Sequence, residues 1–121
     1  MFYLDSNYMN DLWSYDATTM KWTEVITTGL RPTQRSNCSM NYDQDSDRIV
    51  IFGGGGPNKQ RFNTVNILDW KTKIWSEINP KENEEGPWER TYHIAELKYP
   101  YLMIFGGEGV TDMDDLWIFN F

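Results

Sequence analysis

Short apolar runs separated by turn residues recur along the chain, and no stretch keeps the 3.6-residue spacing of an amphipathic helix. Two runs, residues 49–52 and 102–105, are apolar at every position, which is typical of strands that are buried on both faces. Other runs are half apolar and end at Asp or Asn, whose short side chains favour turns. The pattern predicts an all-β chain of antiparallel strands at residues 11–16, 21–26, 36–42, 48–53, 63–69, 73–79, 91–98, 101–106 and 114–120.

These strands belong to an internal repeat with a period of about 53 residues. The segment at 49–54, Ile-Val-Ile-Phe-Gly-Gly, returns at 102–107 as Leu-Met-Ile-Phe-Gly-Gly. Three further landmarks keep the same register. They are Asn-Asp-Leu-Trp at 10–13 with its counterparts at 63–66 and 114–117, Trp22 with Trp75, and Pro-x-x-Arg-x-x-Cys at 32–38 with Pro-x-x-Arg-x-x-His at 87–93.

The landmarks resemble the kelch repeat, which implies a β-propeller whose four-stranded antiparallel blades surround a central channel. By that resemblance, residues 1–121 form a kelch-repeat region. Residues 1–34 would end one blade, residues 35–79 would form a full blade, and residues 80–121 would form most of the next. Propellers close with four to eight blades, whereas this chain supplies about two and a quarter. We therefore expect a partial propeller that belongs to a longer protein or self-associates to complete a ring.

Charge and composition narrow the choice of partners. The net charge is −7, which disfavours nucleic acid and membrane surfaces because both attract basic faces. No apolar run approaches the ~20 residues of a membrane helix. A single cysteine, Cys38, cannot form an internal disulfide, and the first residues lack the features of a signal peptide. These observations predict a cytoplasmic setting and a protein partner.

Two loops have the appearance of ligand sites. The four glycines at 53–56 suggest a phosphate loop, but the Lys-Ser/Thr that completes such a loop does not follow them. A Gly-Gly pair also recurs at 106–107, at the equivalent position of the next repeat. Gly53, Gly54, Gly106 and Gly107 are therefore expected to be structural residues that allow positive φ or close packing. The Asp-x-Asp-x-Asp segment at 43–47 begins like a calcium loop.

The segment at 43–47 departs from the calcium-loop motif at two positions. The sixth and twelfth positions are Arg48 and Gly54, where the calcium motif needs Gly and Glu, so we expect a hairpin turn. The acidic residues at 112–115 precede a predicted strand, and we expect them to be solvated. No metal site is predicted at either segment.

Catalysis is not predicted. His93 is the only histidine, which excludes a histidine-based triad or multi-histidine metal site within this chain. Its repeat counterpart is Cys38, which favours a structural role for both. Some kelch relatives are iron-dependent specifier proteins, and Glu108 and Asp112 match the first two positions of their motif. The third position is Leu116, so the match fails. We expect no enzyme activity, no cofactor and no metal.

Partner binding is expected at the start of the innermost strands. In kelch adaptors, side chains at this position line the mouth of the channel, where Arg35 and Arg90 would bind carboxylate or phosphate groups. Asn37 and Tyr92 would share that role. The alternative is that each arginine ties blades together through loop carbonyls.

Two loops and two tryptophans complete the set of candidates. The loop at 57–62 has two cations and an apparently exposed Phe, and the loop at 80–88 is rich in Glu. Both could equally be plain solvated connections. Trp22 and Trp75 are expected to pack between blades. The candidates for partner binding in the first loop are Asn58, Lys59, Arg61 and Phe62.

The sequence thus predicts a non-enzymatic kelch-repeat module that binds a protein through its loops and channel mouth. The alternative is a propeller segment of a larger multidomain protein whose activity lies elsewhere, such as a ubiquitin-ligase adaptor, an actin organiser or a kelch phosphatase. The identity of the partner stays open, because one fold serves many functions.

Overall fold

Ten strands and one 3-10 turn make up the regular structure of residues 8–79 and 85–121, which are the residues that the computed structural model describes. The 3-10 turn is Pro57–Lys59. The strands are β1 (Trp13–Asp16), β2 (Lys21–Glu24), β3 (Thr28–Gly29), β4 (Ser39–Asp43), β5 (Arg48–Phe52), β6 (Val65–Asp69), β7 (Ile74–Ile78), β8 (Ile94–Lys98), β9 (Tyr101–Glu108) and β10 (Asp112–Asn120).

The strands form three sheets that follow one another along the chain. The first sheet is the β1–β2 hairpin, the middle sheet has the order β3-β7-β6-β5-β4, and the last has the order β10-β9-β8. Strands that follow one another within a sheet pair antiparallel. The prediction of an all-β partial propeller is confirmed, and the nine predicted strands are all present.

Strand β3 is the element that the sequence analysis missed. It pairs in parallel with β7, with Thr28 opposite Ile74 and Gly29 opposite Trp75. The amide of Thr28 donates to the Lys73 carbonyl at 3.0 Å, and the amide of Leu30 donates to the Trp75 carbonyl at 2.9 Å. A two-residue strand has no alternating pattern to recognise, and its partner lies more than forty residues away.

The hydrophobic core lies between the sheets. Because neighbouring residues of a strand point to opposite faces, β5 directs Val50 and Phe52 towards the last sheet and Ile49 towards the first hairpin. The first of these interfaces also contains Val65, Leu97, Leu102 and Ile104. The second contains Leu68 and Trp75, with Leu12 of the hairpin packed against them.

The outward faces of the first and last sheets are apolar and exposed. Tyr15 and Trp22 contact each other across the hairpin, with ring centroids 5.0 Å apart and ring planes tilted by 45°, and Trp22 is 66% exposed. Its repeat counterpart Trp75 is only 5% exposed: Leu12 packs against it, and its indole donates to Oγ1 of Thr27 at 3.0 Å. Trp75 is therefore part of the buried core, whereas Trp22 is largely exposed and has no described sheet against it.

One glycine pair directly follows β5, and a second lies near the end of β9. Gly53, Gly54, Gly106 and Gly107 all have positive φ, between 63° and 104°. A Cβ atom on Gly107 would lie 2.6 Å from the carbonyl oxygen of Thr91, and one on Gly54 would lie 2.8 Å from Cβ of Cys38. These contacts bring the loops before β4 and β8 close to the strand ends, and so position the candidate site.

Candidate functional site

The loops that lead into β4 and β8, residues 35–38 and 90–93, contain most of the residues that the sequence singled out; we call them the rim loops. They lie side by side, since the amide of Tyr92 donates to the Asn37 carbonyl at 3.2 Å. Their strands β4 and β8 pack on each other and occupy the same edge of the two sheets. In a propeller this edge faces the channel.

Arg90 begins the second rim loop, and its side chain has no exposed surface. The guanidinium donates two bonds to the Asp115 carboxylate, at 2.6 and 2.9 Å. It also donates to the carbonyls of Gly106 and Trp88, each at 3.0 Å. These bonds from Arg90, with one from the indole of Trp117, lower the pKa of Asp115 to about 2. Burial opposes this shift.

Arg90 therefore ties together three parts of the last sheet, namely its own loop, the end of β9 and the start of β10. A side chain without exposed surface offers nothing to a partner, so the expectation that Arg90 binds one is replaced by the structural alternative. The sheet it ties is its own, rather than a neighbouring blade. The expectation that Asp115 is merely solvated is wrong, because its carboxylate is the counter-ion of Arg90.

Arg35 occupies the corresponding place in the first rim loop but has different contacts. Nη1 donates to the Gly53 carbonyl at 3.1 Å and to Oγ1 of Thr64 at 3.4 Å. Nε donates to the Thr33 carbonyl at 3.1 Å, and the guanidinium carbon lies 4.2 Å from the ring centroid of Phe62. The side chain is half-buried, and this burial lowers its pKa.

Thr64 and Asp115 hold the same repeat position, so the two clusters differ mainly in one acceptor. The last sheet offers a carboxylate, and the middle sheet offers a hydroxyl. Across residues 8–79 and 85–121, Arg35 forms no ion pair. Its charge is thus held by neutral acceptors and an aromatic ring, which leaves it able to attract an anionic group.

Asn37 and Tyr92 hold equivalent positions at the tip of each rim loop. Both have left-handed backbone, with φ of 53° and 57°. Asn adopts this conformation more readily than other residues, whereas a Tyr in it is strained. Both side chains are exposed, Tyr92 by 66%. The rim therefore presents an aromatic hydroxyl and an amide beside Arg35.

His93 is buried where β4 meets β8. Its Nε2 lies 3.0 Å from Oγ of Ser39, and its ring contacts Phe52 edge-on at 5.2 Å. Nδ1 has no hydrogen-bond partner among the described residues. Burial, followed by the charge of Arg90, lowers the pKa of His93 to about 4. The imidazole is therefore neutral at pH 7 and holds two sheets together.

Cys38, the repeat counterpart of His93, is half-buried. Burial raises the pKa of its thiol, and the charge of Arg35 opposes that shift only in part. A thiol in such surroundings is a weak nucleophile. Within the described ranges, no three His, Cys, Asp or Glu side chains are grouped closely enough to hold a metal ion.

The loop after β5 contains both exposed and buried residues. Asn58 and Lys59 are exposed and have positive φ. Arg61 reaches the last sheet through an ion pair with Glu108 at 3.1 Å. The expectation of an exposed Phe62 is wrong: the residue is 9% exposed, because its ring lies beneath Arg35. Of the second predicted loop, residues 80–84 lie outside the described residues.

Comparison with known proteins identifies the family. The KLHDC2/KLHL20/DRC7 kelch-repeats domain model matches residues 3–121. The chain belongs to the kelch-repeat family. Kelch repeats are protein-interaction modules, and here they form part of larger relatives.

Three curated relatives illustrate the match. Dynein regulatory complex subunit 7 of Chlamydomonas reinhardtii is 27% identical over 106 residues, covering 88% of this chain and 9% of the relative. Acyl-CoA-binding domain-containing protein 4 of Arabidopsis thaliana is 32% identical over 108 residues, covering 88% and 16%. Kelch domain-containing protein 10 of Rattus norvegicus is 27% identical over 120 residues, covering 93% and 29%. The kelch-repeat chain thus spans less than a third of each relative.

The sequence analysis missed the partners of the candidate residues. Ser39, which contacts His93, lies in an unremarkable polar stretch. Asp115 could have been found, since it belongs to the Asp-Asp-Leu-Trp landmark that follows the arginine in the repeat. No described helix is long and apolar enough to cross a membrane.

Proposed function

We propose that this kelch-repeat chain is a non-enzymatic module that binds a protein partner through its rim loops and the loop after β5. The observation that carries the proposal is Tyr92, a large aromatic residue that is 66% exposed and held at a φ of 57°. A strained, exposed aromatic side chain is costly for folding, and such strain collects at functional sites. Tyr and Arg are also enriched among residues that dominate binding energy.

The chemistry of the rim favours an acidic or phosphorylated segment of a protein. Arg35 lies in the same loop as Asn37 and has no ion pair among the described residues. Lys59 adds an exposed cation on the neighbouring loop. A carboxylate of the partner could accept from Arg35 as Asp115 accepts from Arg90, while Tyr92 supplies apolar contact and a hydroxyl.

The contacts of His93 and Cys38 support a role without catalysis. The imidazole is buried against Ser39, and its lowered pKa keeps it neutral. The thiol has a raised pKa and is held beside a glycine pair. A general base or nucleophile needs access to substrate, and these side chains are committed to packing.

The second candidate is a propeller segment of a larger cytoplasmic protein, such as a ubiquitin-ligase adaptor, an actin organiser or a kelch phosphatase. The small share of each relative that the chain covers favours it. In that case the rim would recruit the target and another domain would act on it. If no larger protein supplies the missing blades, self-association of this chain would provide them.

The test is affinity capture from cell extract followed by quantitative mass spectrometry, comparing the wild type with Tyr92→Asn. Asn keeps the left-handed backbone, as Asn37 does, so the change removes the ring without disturbing the loop. We expect the principal partner to be depleted about tenfold or more, as for a hot-spot residue. The control is Tyr42→Asn, at the far end of β4 and similarly exposed, which should keep the partner. Equal capture by both variants would contradict binding at the rim.

A further inference from the structure

A chain of hydrogen bonds runs from Arg35 across the middle sheet to β7. Nη1 of Arg35 donates to Oγ1 of Thr64 at 3.4 Å, and this hydroxyl donates to Oδ1 of Asn66 at 3.2 Å. Nδ2 of Asn66 then donates to Oε2 of Glu77 at 2.9 Å. Because Asn66 lies in β6 and Glu77 lies in β7, these bonds link the first rim loop to a strand on the other side of the sheet.

Every donor in this chain points the same way, from the guanidinium towards the carboxylate of Glu77. Hydrogen bonds that are aligned in this manner polarise one another. Asn66 has no exposed surface, so water does not screen the middle of the chain. Burial lowers the pKa of Arg35, and the charges of Cys38 and Glu77 oppose that shift. The carboxylate of Glu77 therefore acts on the charge of Arg35 without touching it.

The other two repeats have different residues at the positions of Thr64 and Asn66. There the two positions hold Asp and Trp, at 11 and 13 and at 115 and 117. In both repeats the indole donates to the carboxylate, at 2.7 and 2.6 Å. The middle repeat differs at both positions at once. A direct carboxylate is thereby replaced by a hydroxyl and an amide that lead to the carboxylate of Glu77.

We propose that Glu77 is the remote counter-ion of Arg35, and that this displaced carboxylate makes the middle repeat the anion-binding repeat of the chain. A carboxylate at position 64 would pair with the guanidinium, as in the last sheet. A carboxylate at position 77 orients Arg35 through Asn66 and Thr64 but leaves it half-exposed, so that a carboxylate or phosphate group of a partner can bind it. Glu77 is a positioning residue, and the inference rests on the proposed function of the rim.

Two variants change the position of the carboxylate with opposite expected effects. Glu77→Gln keeps an acceptor for the Asn66 amide and removes the charge, so Arg35 should attract an added anion more strongly. Thr64→Asp combined with Glu77→Gln moves the carboxylate next to Arg35 at unchanged net charge. The Asn66 amide can then turn over, so that it donates to the new carboxylate and accepts from the new amide. This double variant should close the site.

The probes are inorganic phosphate and acetate, added to the 121-residue chain at neutral pH and constant ionic strength. The measurement is the NMR signal of the Arg35 Nε–H group, which is assigned by its loss in Arg35→Lys. Its shift should saturate in the wild type. The dissociation constant should fall about threefold in Glu77→Gln, because a unit charge is removed from a partly shielded site. In the double variant it should rise about tenfold or more, because a carboxylate then pairs with the guanidinium directly.

The matched control is Glu24→Gln. Glu24 holds the repeat position of Glu77 in β2, is exposed and lies opposite Trp13. The control therefore makes the same change in net charge without touching the hydrogen-bond chain, and it should leave both dissociation constants unchanged. Circular dichroism establishes that the variants are folded. Should the double variant unfold, the comparison of Glu77→Gln with Glu24→Gln decides. Tighter binding of phosphate would indicate a phosphorylated segment of the partner, and tighter binding of acetate an acidic one.

Three results would overturn the proposal. They are an Arg35 signal that neither anion shifts, equal dissociation constants for Glu77→Gln and Glu24→Gln, and undiminished binding by the folded double variant. The anion titration does not use the protein partner, and the capture experiment with Tyr92→Asn does not use Glu77. If Tyr92→Asn keeps the partner while the titrations behave as expected, the proposed binding surface fails and the anion site stands. The reverse pair of outcomes removes the role of Glu77 and leaves the binding surface.

Discussion

The clusters around Arg35 and Arg90 place the same residue at the same point of two successive repeats, with different outcomes. Each guanidinium donates to the carbonyl of the strand-end glycine, Gly53 or Gly106. Within the described part of the chain, only Arg90 of the two contacts a carboxylate, and only Arg90 is wholly buried. The repeat therefore fixes where the arginine lies, while the acceptor at the repeat position of Thr64 and Asp115 determines how far the arginine is buried.

The difference follows from the cost of burying a charge. A guanidinium loses several kcal/mol of hydration when it leaves water, and a bidentate carboxylate is the acceptor that best offsets that loss. The hydroxyl of Thr64 offsets less, so Arg35 stays half-buried above Phe62. One arginine thereby serves the fold, and the other keeps a charge that a partner can use.

The largest expected effect comes from removing the two arginines in turn. Arg90→Ala should destabilise the chain by about 3 kcal/mol, because the Asp115 carboxylate loses its counter-ion and two carbonyls lose a donor. Arg35→Ala should cost only about 1 kcal/mol, since only neutral acceptors lose a donor. The measurement is the free energy of unfolding from urea titration of both variants and the wild type.

The control for that comparison is Asp115→Asn, which keeps the size of the side chain and removes its charge. Its free energy of unfolding should fall by much of the amount lost in Arg90→Ala, because the buried guanidinium is left without its counter-ion. Equal losses for Arg35→Ala and Arg90→Ala would mean that the carboxylate does not distinguish the two clusters.

An effect of similar size, but visible only on acidification, is expected at the other pair of counterparts, His93 and Cys38. His93 has a pKa of about 4 in the folded chain against 6.5 for a free imidazole. Between pH 6.5 and about pH 4, the unfolded chain binds a proton at this histidine, whereas the folded chain does not. Stability should therefore fall by about 3 kcal/mol as the pH drops through this window.

His93→Cys, which copies the preceding repeat, should remove that pH dependence. Urea titrations at pH 7 and pH 4.5 would show it as a smaller difference between the two pH values than in the wild type. The Asp115 carboxylate does not interfere, because its lowered pKa confines its loss of stabilisation to pH values below about 4. An unchanged difference would place the titrating group elsewhere.

The sequence predicted the architecture well because the signals for it are local and repeated. Apolar runs, glycine pairs and turn residues lie within each strand or next to it, and their period indicates blades without knowledge of any contact. Strand β3 was missed because its pairing with β7 depends on a distant partner and on two residues only.

Side-chain environment was harder to predict than architecture. Phe62 looked exposed because polar residues surround it in sequence, yet its ring lies beneath Arg35 of the first rim loop. Arg90 and Asp115 are 25 residues apart, and only the folded sheet shows that they meet. Repeat positions predict that two residues are equivalent; they do not predict which atoms surround each one.

The smallest expected effect concerns the rim-loop tips, where Asn37 and Tyr92 share one backbone conformation. Tyr92→Asn should stabilise the chain by about 0.5 kcal/mol, because Asn tolerates left-handed φ better than Tyr does. The ring of Tyr92 is largely exposed, so its removal costs little packing. Urea titration measures the gain, with Asn37→Tyr as the reciprocal variant that should lose a similar amount. A gain in stability together with weaker capture of the partner would mean that the chain keeps a strained tyrosine for binding, whereas a loss of stability would assign Tyr92 to the fold.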